Sequence, residues 1–274
     1  MSLMEKIPIC SINGRIVDKN QAVLSLQSIE AQYGFGVYEN IKVRKNVVYF
    51  VDEHIERLLH SAKCIALSHG FTSSHIYKDL LAYKTALRID SYNLKLLLLG
   101  GKSEKESQLV ILAALPKYPK KQWYRDGVSV VSYQHERFMP EAKTLNMLPS
   151  YFFYKKAASR GHYDAILLDD KNHVIEGTRT NIFFIKGKKI YHPPIKKILL
   201  GVTMMTLKRV LAKNGFNFEE KEVGLKEIIK YDGMMLTSTS SKILPVCKVD
   251  DVRMPIPESL RDIIKIYDAA LPEI

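Results

Sequence analysis

The sequence predicts an α/β protein of the α+β kind, divided into two domains. Strand-length apolar runs alternate with amphipathic stretches along the chain, and a proline-rich stretch near the middle separates two sets of elements. No internal repeat is present. At 274 residues the chain has room for two domains of about 100–200 residues each.

The opening reads as a hairpin, Ile7 to Ile12 returning through Asn13-Gly14-Arg15 into Ile16-Val17. A second strand pair, Tyr38 to Val43 and Val47 to Val51, is joined by Arg44-Lys45-Asn46. The period then changes. Ile55, Leu58, Leu59, Ala62, Ile65 and Ala66 recur at three- and four-residue steps, predicting an amphipathic helix with Asp52 as N-cap and Gly70 as its stop. A helix around Ile76 to Leu87 and strands at Asn93 to Leu99 and Gln108 to Leu115 complete the first half.

Pro116-Lys117-Tyr118-Pro119-Lys120-Lys121 reads as a linker, because proline stiffens the backbone and opposes regular pairing. The expected division is a small domain over 1–116, a linker over 117–126 and a larger domain over 127–274. In the second half, strands are expected at Val128 to Tyr133, Tyr163 to Leu168, Asn181 to Ile185, Lys189 to His192 and Gly233 to Leu236. Helices are expected near Ser150 to Arg160, Met204 to Asn214 and Leu225 to Tyr231. A cleft between two such domains is where a ligand is expected.

Composition narrows the function. With 46% hydrophobic and 26% charged residues, the chain is neither fibrous nor mainly disordered. No apolar run approaches the ~18–20 residues of a membrane span, so no membrane association is expected. Met1 to Gly14 lacks a basic segment followed by a long apolar one, and no secretory leader is expected there. Cys10, Cys64 and Cys247 are too scattered for a disulfide framework or a zinc site; a reducing cytoplasmic location and no metal are expected. The 41 Lys and Arg against 29 Asp and Glu give a net charge of +12. A nucleic-acid-binding module is one reading of that charge. The lysines are spread over both halves, however, which suits a solvated surface that attracts small anionic substrates.

Three segments could hold an anion. In Leu199-Leu200-Gly201-Val202-Thr203, glycine lets the backbone approach a ligand and Thr203 offers amide and hydroxyl at a helix start; Thr203 would equally serve as a cap. The run Thr237-Ser238-Thr239-Ser240-Ser241 after a buried-type strand suits a hydroxyl cradle or a polar turn. Arg57 lies beside the apolar stripe of its helix, as a phosphate clamp or as solvated surface. Lys143 precedes core-type residues in Thr144-Leu145-Asn146-Met147-Leu148. Apolar surroundings would make it an amine nucleophile or base, and the alternative is a lysine snorkelling from a strand end. Glu176 sits at a junction between strands, as a turn residue or a fixed partner for a ring nitrogen. One lysine, one carboxylate and phosphate-type segments together match what pyridoxal phosphate requires: an amine for its aldehyde, a carboxylate for its pyridine nitrogen and an anchor for its phosphate.

With these residues the chain resembles the class IV (fold type IV) pyridoxal-phosphate enzymes, which include D-amino-acid aminotransferase, branched-chain aminotransferase and 4-amino-4-deoxychorismate lyase. The resemblance runs in the family's order through Tyr33-Gly34-Phe35-Gly36-Val37-Tyr38-Glu39, Glu53-His54-Ile55-Glu56-Arg57-Leu58, Lys143-Thr144-Leu145-Asn146, Glu176-Gly177-Thr178-Arg179-Thr180-Asn181, Leu199 to Thr203 and Thr237 to Ser241. It implies a two-domain fold with pyridoxal 5'-phosphate between the domains, most of its site on the larger one. Lys143 would be the lysine that bonds the cofactor and shuttles the proton, and Glu176 the partner of the pyridine nitrogen. Arg57, Val202, Thr203, Ser238 and Thr239 would surround the phosphate, Leu199 would pack on the ring, and Tyr38 would face the substrate. Similar enzymes are homodimers.

The resemblance also frames the reaction. D-amino-acid aminotransferases use an Arg and a His beyond the strand matching Asn93–Leu99, where this chain has Gly100-Gly101-Lys102-Ser103-Glu104-Lys105-Glu106-Ser107. Branched-chain aminotransferases usually carry Gly and Arg where this chain has Asn40 and Lys42. The expectation is therefore 4-amino-4-deoxychorismate lyase, forming 4-aminobenzoate and pyruvate for folate synthesis, with an amino-acid aminotransferase as the alternative. Lys102 or Lys105 would then meet the carboxylates of a small, anionic, amino-bearing substrate.

Overall fold

The computed structural model describes residues 7–25, 27–116 and 118–271. Residues 1–6 of the segment read for a leader, and Lys117 of the linker, lie outside the described residues. The chain forms two compact units, Met1–Lys117 with Ala142–Asn146, and Tyr118–Glu141 with Met147–Glu273. The segment bearing Lys143 thus belongs to the first unit, not to the block 127–274. The second half of the expected linker is helical.

In the first unit, β1 (Ile9–Ile12) returns as β2 (Arg15–Asp18) through Asn13 and Gly14, at φ 48° and 80°. Both positive angles match a two-residue hairpin turn, whose twist suits antiparallel strands. Then follow α1 (Ile29–Gln32), β3 (Gly36–Arg44), β4 (Val47–Val48), α2 (Val51–Cys64), α3 (Ser73–Leu87), β5 (Tyr92–Leu99) and β6 (Gln108–Ala114). Their strands form one antiparallel sheet in the order β2-β1-β6-β5-β3-β4. Ile41, Val43, Leu94, Leu96 and Leu98 pack on Ile55, Leu58, Ala62, Ile76 and Leu80 of the two long helices. By the two-residue period of a strand, Tyr38, Asn40 and Lys42 of β3 and Lys95 and Leu97 of β5 point to the opposite face.

Two boundaries differ from expectation here. β4 stops at Val48, and α2 begins at Val51 behind Phe50, held in the left-handed region at φ 54°. At its other end α2 stops at Cys64, well before Gly70. Ala66 takes the left-handed conformation at φ 52°, its N–H meets Lys63 O at 3.1 Å, and Leu67 N–H meets Ala62 O at 2.9 Å. That pair of bonds is the Schellman closure usually built on glycine, so an alanine hid the stop from a reading that looked for Gly.

The second unit begins with α4 (Lys121–Asp126), β7 (Val128–Gln134), α5 (Leu148–Ala158) and β8 (Asp164–Leu168). Next come β9 (Val174–Gly177), β10 (Asn181–Lys186), β11 (Lys189–His192), α6 (Val202–Ala212), β12 (Asn217–Glu220) and β13 (Gly233–Ser238). β14 (Lys242–Val249), β15 (Val252–Arg253) and α7 (Glu258–Ala269) complete it. A mixed sheet runs β12-β11-β10-β13-β14-β7-β8-β9, with β15 on β14. Leu225–Lys230, expected as a helix, is a 3-10 turn. β9, β12, β14 and α7 had no counterpart in the sequence reading. Pro245 lies inside β14, opposite Met235, and proline ordinarily argues against an interior strand. Glu176 therefore stands within a strand, not in a turn. No helix among the described residues is long and apolar enough to cross a membrane.

Candidate active site

Lys143 lies on a short stretch added to the edge of β3. Tyr38 N–H donates to Lys143 O at 2.9 Å, Leu145 N–H donates to Gly36 O at 2.9 Å, and Val37 bridges Thr144. Gly36 makes this approach possible: a Cβ there would come within 2.7 Å of Leu98 O and 2.9 Å of the Leu145 side chain. On the other side, Lys143 N–H donates to Ser61 Oγ at 3.0 Å. The Lys143 ammonium stands 4.5 Å from the centre of the Tyr38 ring, and the Lys95 ammonium 5.5 Å from the same ring. Cation and ring attract through the negative face of the π system. Neither lysine has a carboxylate partner among the described residues. Tyr38 and Lys143 are thus brought together, and Lys95 joins them.

Arg57 is buried rather than solvated. α2 presents His54, Arg57 and Ser61 at three- and four-residue steps to one side, so all three share a face. Opposite stands Glu39, inward-facing on β3 and wholly buried. Arg57 Nε donates to Glu39 Oε1 at 2.6 Å and Nη2 to Oε2 at 2.7 Å, while His54 Nδ1 lies 2.7 Å from Oε2. Burial pushes the Glu39 carboxyl up, but the Arg57 charge and the hydrogen bonds from Arg57 and His54 outweigh it and hold the pKa at about 2. Burial holds His54 below its ordinary value, with the Arg57 and Lys143 charges pushing the same way and Glu39 opposing. A neutral His54 donating from Nδ1 leaves Nε2 as an acceptor, and that buried nitrogen has no hydrogen-bond partner among the described residues.

In the second unit both Glu176 oxygens are engaged. Arg137 Nη1 lies 3.2 Å from Oε1, and Leu199 N–H donates to Oε2 at 3.3 Å. Asn181 Nδ2 in turn donates to Leu199 O at 2.7 Å, so Leu199 is held at both its amide and its carbonyl. Gly201 begins α6, and a Cβ on it would overlap Asn181 Oδ1. No side chain caps the first turn of that helix, which contains Val202 and Thr203, both buried. Its first amides and the helix dipole therefore suit an anion.

Ser238 closes β13, and its hydroxyl shares hydrogen bonds with Ser241 Oγ at 2.6 Å and Ser240 Oγ at 3.3 Å. Thr239 stands half-buried in the turn after it. Thr237, paired with Asn181 across β10 and β13, has a buried hydroxyl without a hydrogen-bond partner among the described residues.

Lys102 and Lys105 sit on the β5–β6 connection, where Lys105 lines a cavity of about 600 Å³ with Arg15, His75, Lys78 and Asp79. No hydrogen bond, ion pair or ring contact among the described residues joins either lysine to Tyr38 or Lys143. Asp169, His173 and Glu222 have the spacing of metal ligands. The Lys197 ammonium, however, lies 2.8 Å from both Asp169 and Glu222, so a cation of the chain itself already neutralises them.

A family model described as Amino-transferase class IV matches residues 36–249. The chain belongs to the class IV aminotransferases. It is accordingly an enzyme chain rather than a basic binding module. This class IV aminotransferase is 29% identical over 247 residues to the D-alanine aminotransferase of Bacillus licheniformis, covering 87% of each chain. It is 27% identical over 285 residues to the putative branched-chain-amino-acid aminotransferase of Methanocaldococcus jannaschii, covering 94% of this chain and 98% of that one. Its fold is that of a hypothetical aminotransferase from Mycobacterium tuberculosis solved in its PLP-bound form, at a TM-score of 0.84 and 20% identity over 96% and 99% of the two chains.

Within this class IV aminotransferase, sequence reasoning left Glu39, His54, Ser61, Lys95 and Arg137 without roles. The helical spacing of His54, Arg57 and Ser61 was a usable signal for the first unit, because one face of α2 carrying three polar groups cannot be a plain apolar stripe. Strand alternation could have placed Lys95 opposite Asn40, two residues from the register of Tyr38. Arg137, in an irregular segment, offered no pattern at all.

Proposed function

We propose that this class IV aminotransferase binds pyridoxal 5'-phosphate and transfers the amino group of a small amino acid to a 2-oxo acid. The observation that carries the proposal is the Lys143 amine against Tyr38, its backbone fixed on both sides and, among the described residues, no carboxylate paired with it. The names of the relatives support transamination over the lyase reaction first expected, since they are a D-alanine and a putative branched-chain aminotransferase.

The residues present fit the cofactor. The uncapped first turn of α6 and the partnerless Thr237 hydroxyl are donors suited to a phosphate, and the Glu176 carboxylate suits a protonated ring nitrogen. When bound, the cofactor supplies an aldehyde that captures amines and a ring that draws electrons from the adjoining carbon. Lys143 Nζ would hold the aldehyde carbon and, as a free amine, would move a proton at the carbon bearing the substrate nitrogen. Glu176 would keep the pyridine nitrogen protonated, and Leu199 would orient the ring. Val202, Thr203, Ser238 and Thr239 of the second unit would hold the phosphate; Arg57, on the first unit, is given that role by the family resemblance alone. Tyr38 faces the substrate. Lys95, on the same ring as Lys143, is better placed than Lys102 or Lys105 to take a substrate carboxylate. A homodimer in the cytoplasm is the setting we infer, from the family resemblance and the dispersed cysteines.

The test incubates the purified protein with pyridoxal phosphate, then treats it with borohydride. A visible absorbance band, and the cofactor's mass fixed on the peptide containing Lys143, are expected. Oxo-acid formation from a panel of D- and L-amino acids with 2-oxoglutarate follows. Pyruvate and 4-aminobenzoate from 4-amino-4-deoxychorismate, with no reaction on the amino-acid panel, would overturn transamination in favour of the lyase.

A further inference from the structure

Ser61 makes two hydrogen bonds from complete burial. Its hydroxyl donates to Arg57 O, one helical turn earlier on α2, at 2.7 Å, and accepts Lys143 N–H at 3.0 Å. A hydroxyl has one proton and two lone pairs, so donating to the helix leaves it free to accept from the lysine amide. The direction is fixed by the chemistry, because an amide N–H can only donate. Helix α2 is itself anchored to the sheet by the Arg57 and His54 bonds to Glu39. The main chain of Lys143 is thus held from three sides: by Tyr38 N–H on its carbonyl, by the Leu145–Gly36 bond two residues on, and by Ser61 on its amide.

We propose that Ser61 is a positioning residue that fixes the point from which the Lys143 side chain swings. This rests on Lys143 being the lysine that bonds the cofactor. A lysine reaches its target on a flexible four-carbon stem, so the arc open to Nζ depends on where the main chain is pinned. Misplacement by about 1 Å can cost on the order of 10²-fold in rate, whereas substrate affinity depends on other groups. Loss of the hydroxyl also leaves the Lys143 N–H without this acceptor, so the segment relaxes toward any other it can find.

The experiment compares wild type, Ser61→Ala and Ser61→Thr, and reads hydrogen exchange at the Lys143 amide without added cofactor alongside steady-state kinetics of the cofactor-loaded enzyme. In wild type the amide should exchange slowly. In Ser61→Ala it should exchange at least about tenfold faster, with kcat down about tenfold and KM within about twofold, because only the placement of the amine has changed. Ser61→Thr, which keeps the hydroxyl, should recover most of kcat. Wild-type kcat in Ser61→Ala, or a Lys143 amide in wild type that exchanges as fast as an open chain, overturns the proposal. If Ser61→Ala does not fold, the wild-type amide decides alone, protection supporting the role and open-chain exchange ending it. A wild type that takes up no cofactor instead defeats the proposed function and leaves the exchange result intact.

Discussion

Arg57 grips Glu39 with two hydrogen bonds, at 2.6 and 2.7 Å, between a helix and a strand of the same unit. The paired geometry matches the planar fork of a guanidinium to the two oxygens of a carboxylate. Arg57 is therefore not mobile on the surface. Its guanidinium is held in one orientation, with its charge partly offset by Glu39.

Glu39→Ala removes the carboxylate and leaves the Arg57 charge buried beside an unpaired His54. Breaking one member of a buried pair costs about 3–5 kcal/mol, so the variant should unfold at markedly lower urea concentration than wild type. The slope of the urea transition should stay the same, since the surface exposed on unfolding does not change. A midpoint equal to wild type would show that the pair contributes nothing.

The same cluster sets a pH dependence in two stages. His54 titrates below its ordinary value of 6.5 in the folded chain, so the unfolded chain takes the proton first and stability falls as pH drops through that value. Glu39 titrates at about 2 when folded against an ordinary 4.5, so its contribution is present above 4.5 and is lost as pH falls from there toward 2. Urea unfolding of the cofactor-free protein at stepped pH should show both losses. In His54→Gln the loss below 6.5 should shrink to what His69, His135 and His192, which burial also holds below 6.5, still supply, while the one below 4.5 remains. An unchanged profile in that variant would assign the first stage to another group.

Much of the first unit was legible because its signals are local. The strand expected at Asn93 to Leu99 and the helical steps from Ile55 to Ala62 each report a single buried face; the strand stands within a residue of where the pattern puts it, and the helix begins within two. The end of α2 was not legible, because a Schellman closure on Ala66 carries no distinctive residue. In the second unit, the strand holding Pro245 and the four-residue strand holding Glu176 are strands only by virtue of their neighbours, which no local pattern records. Lys143 and Glu176 stood out as types suited to one chemistry, while Tyr38 entered only through the family resemblance. The groups that hold them (Ser61, Arg137 and the Asn181 amide) did not, because a supporting role depends on contacts distant in sequence, 82 residues apart for Ser61 and Lys143.

Glu176→Gln should keep the cofactor bound while turnover falls by at least about 10²-fold, because an amide cannot hold the ring nitrogen protonated as a carboxylate does. Arg137 would also lose its carboxylate, so the visible band of the bound cofactor should change its pH dependence. Full turnover in the variant would mean that the electron sink lies elsewhere.

Gly201→Ala tests the start of α6. The backbone of Gly201 is extended at φ −69°, which any residue can adopt, so the constraint is space and not conformation. An added Cβ would overlap Asn181 Oδ1 and drive that side chain away. Asn181 would then release Leu199 O, a buried acceptor, at a cost of about 1–3 kcal/mol. Leu199 N–H, the donor to Glu176, would shift with it, and the first turn of α6 would open. The expected result is a modest loss of thermal stability and a much larger loss of cofactor affinity, read by equilibrium dialysis of pyridoxal phosphate. Gly201→Ala combined with Asn181→Ala removes the overlap but not the lost hydrogen bond. The double variant should therefore recover stability lost to overlap while cofactor affinity stays low. Recovery of affinity in the double variant would show that the Asn181 contact to Leu199 has no part in holding the cofactor.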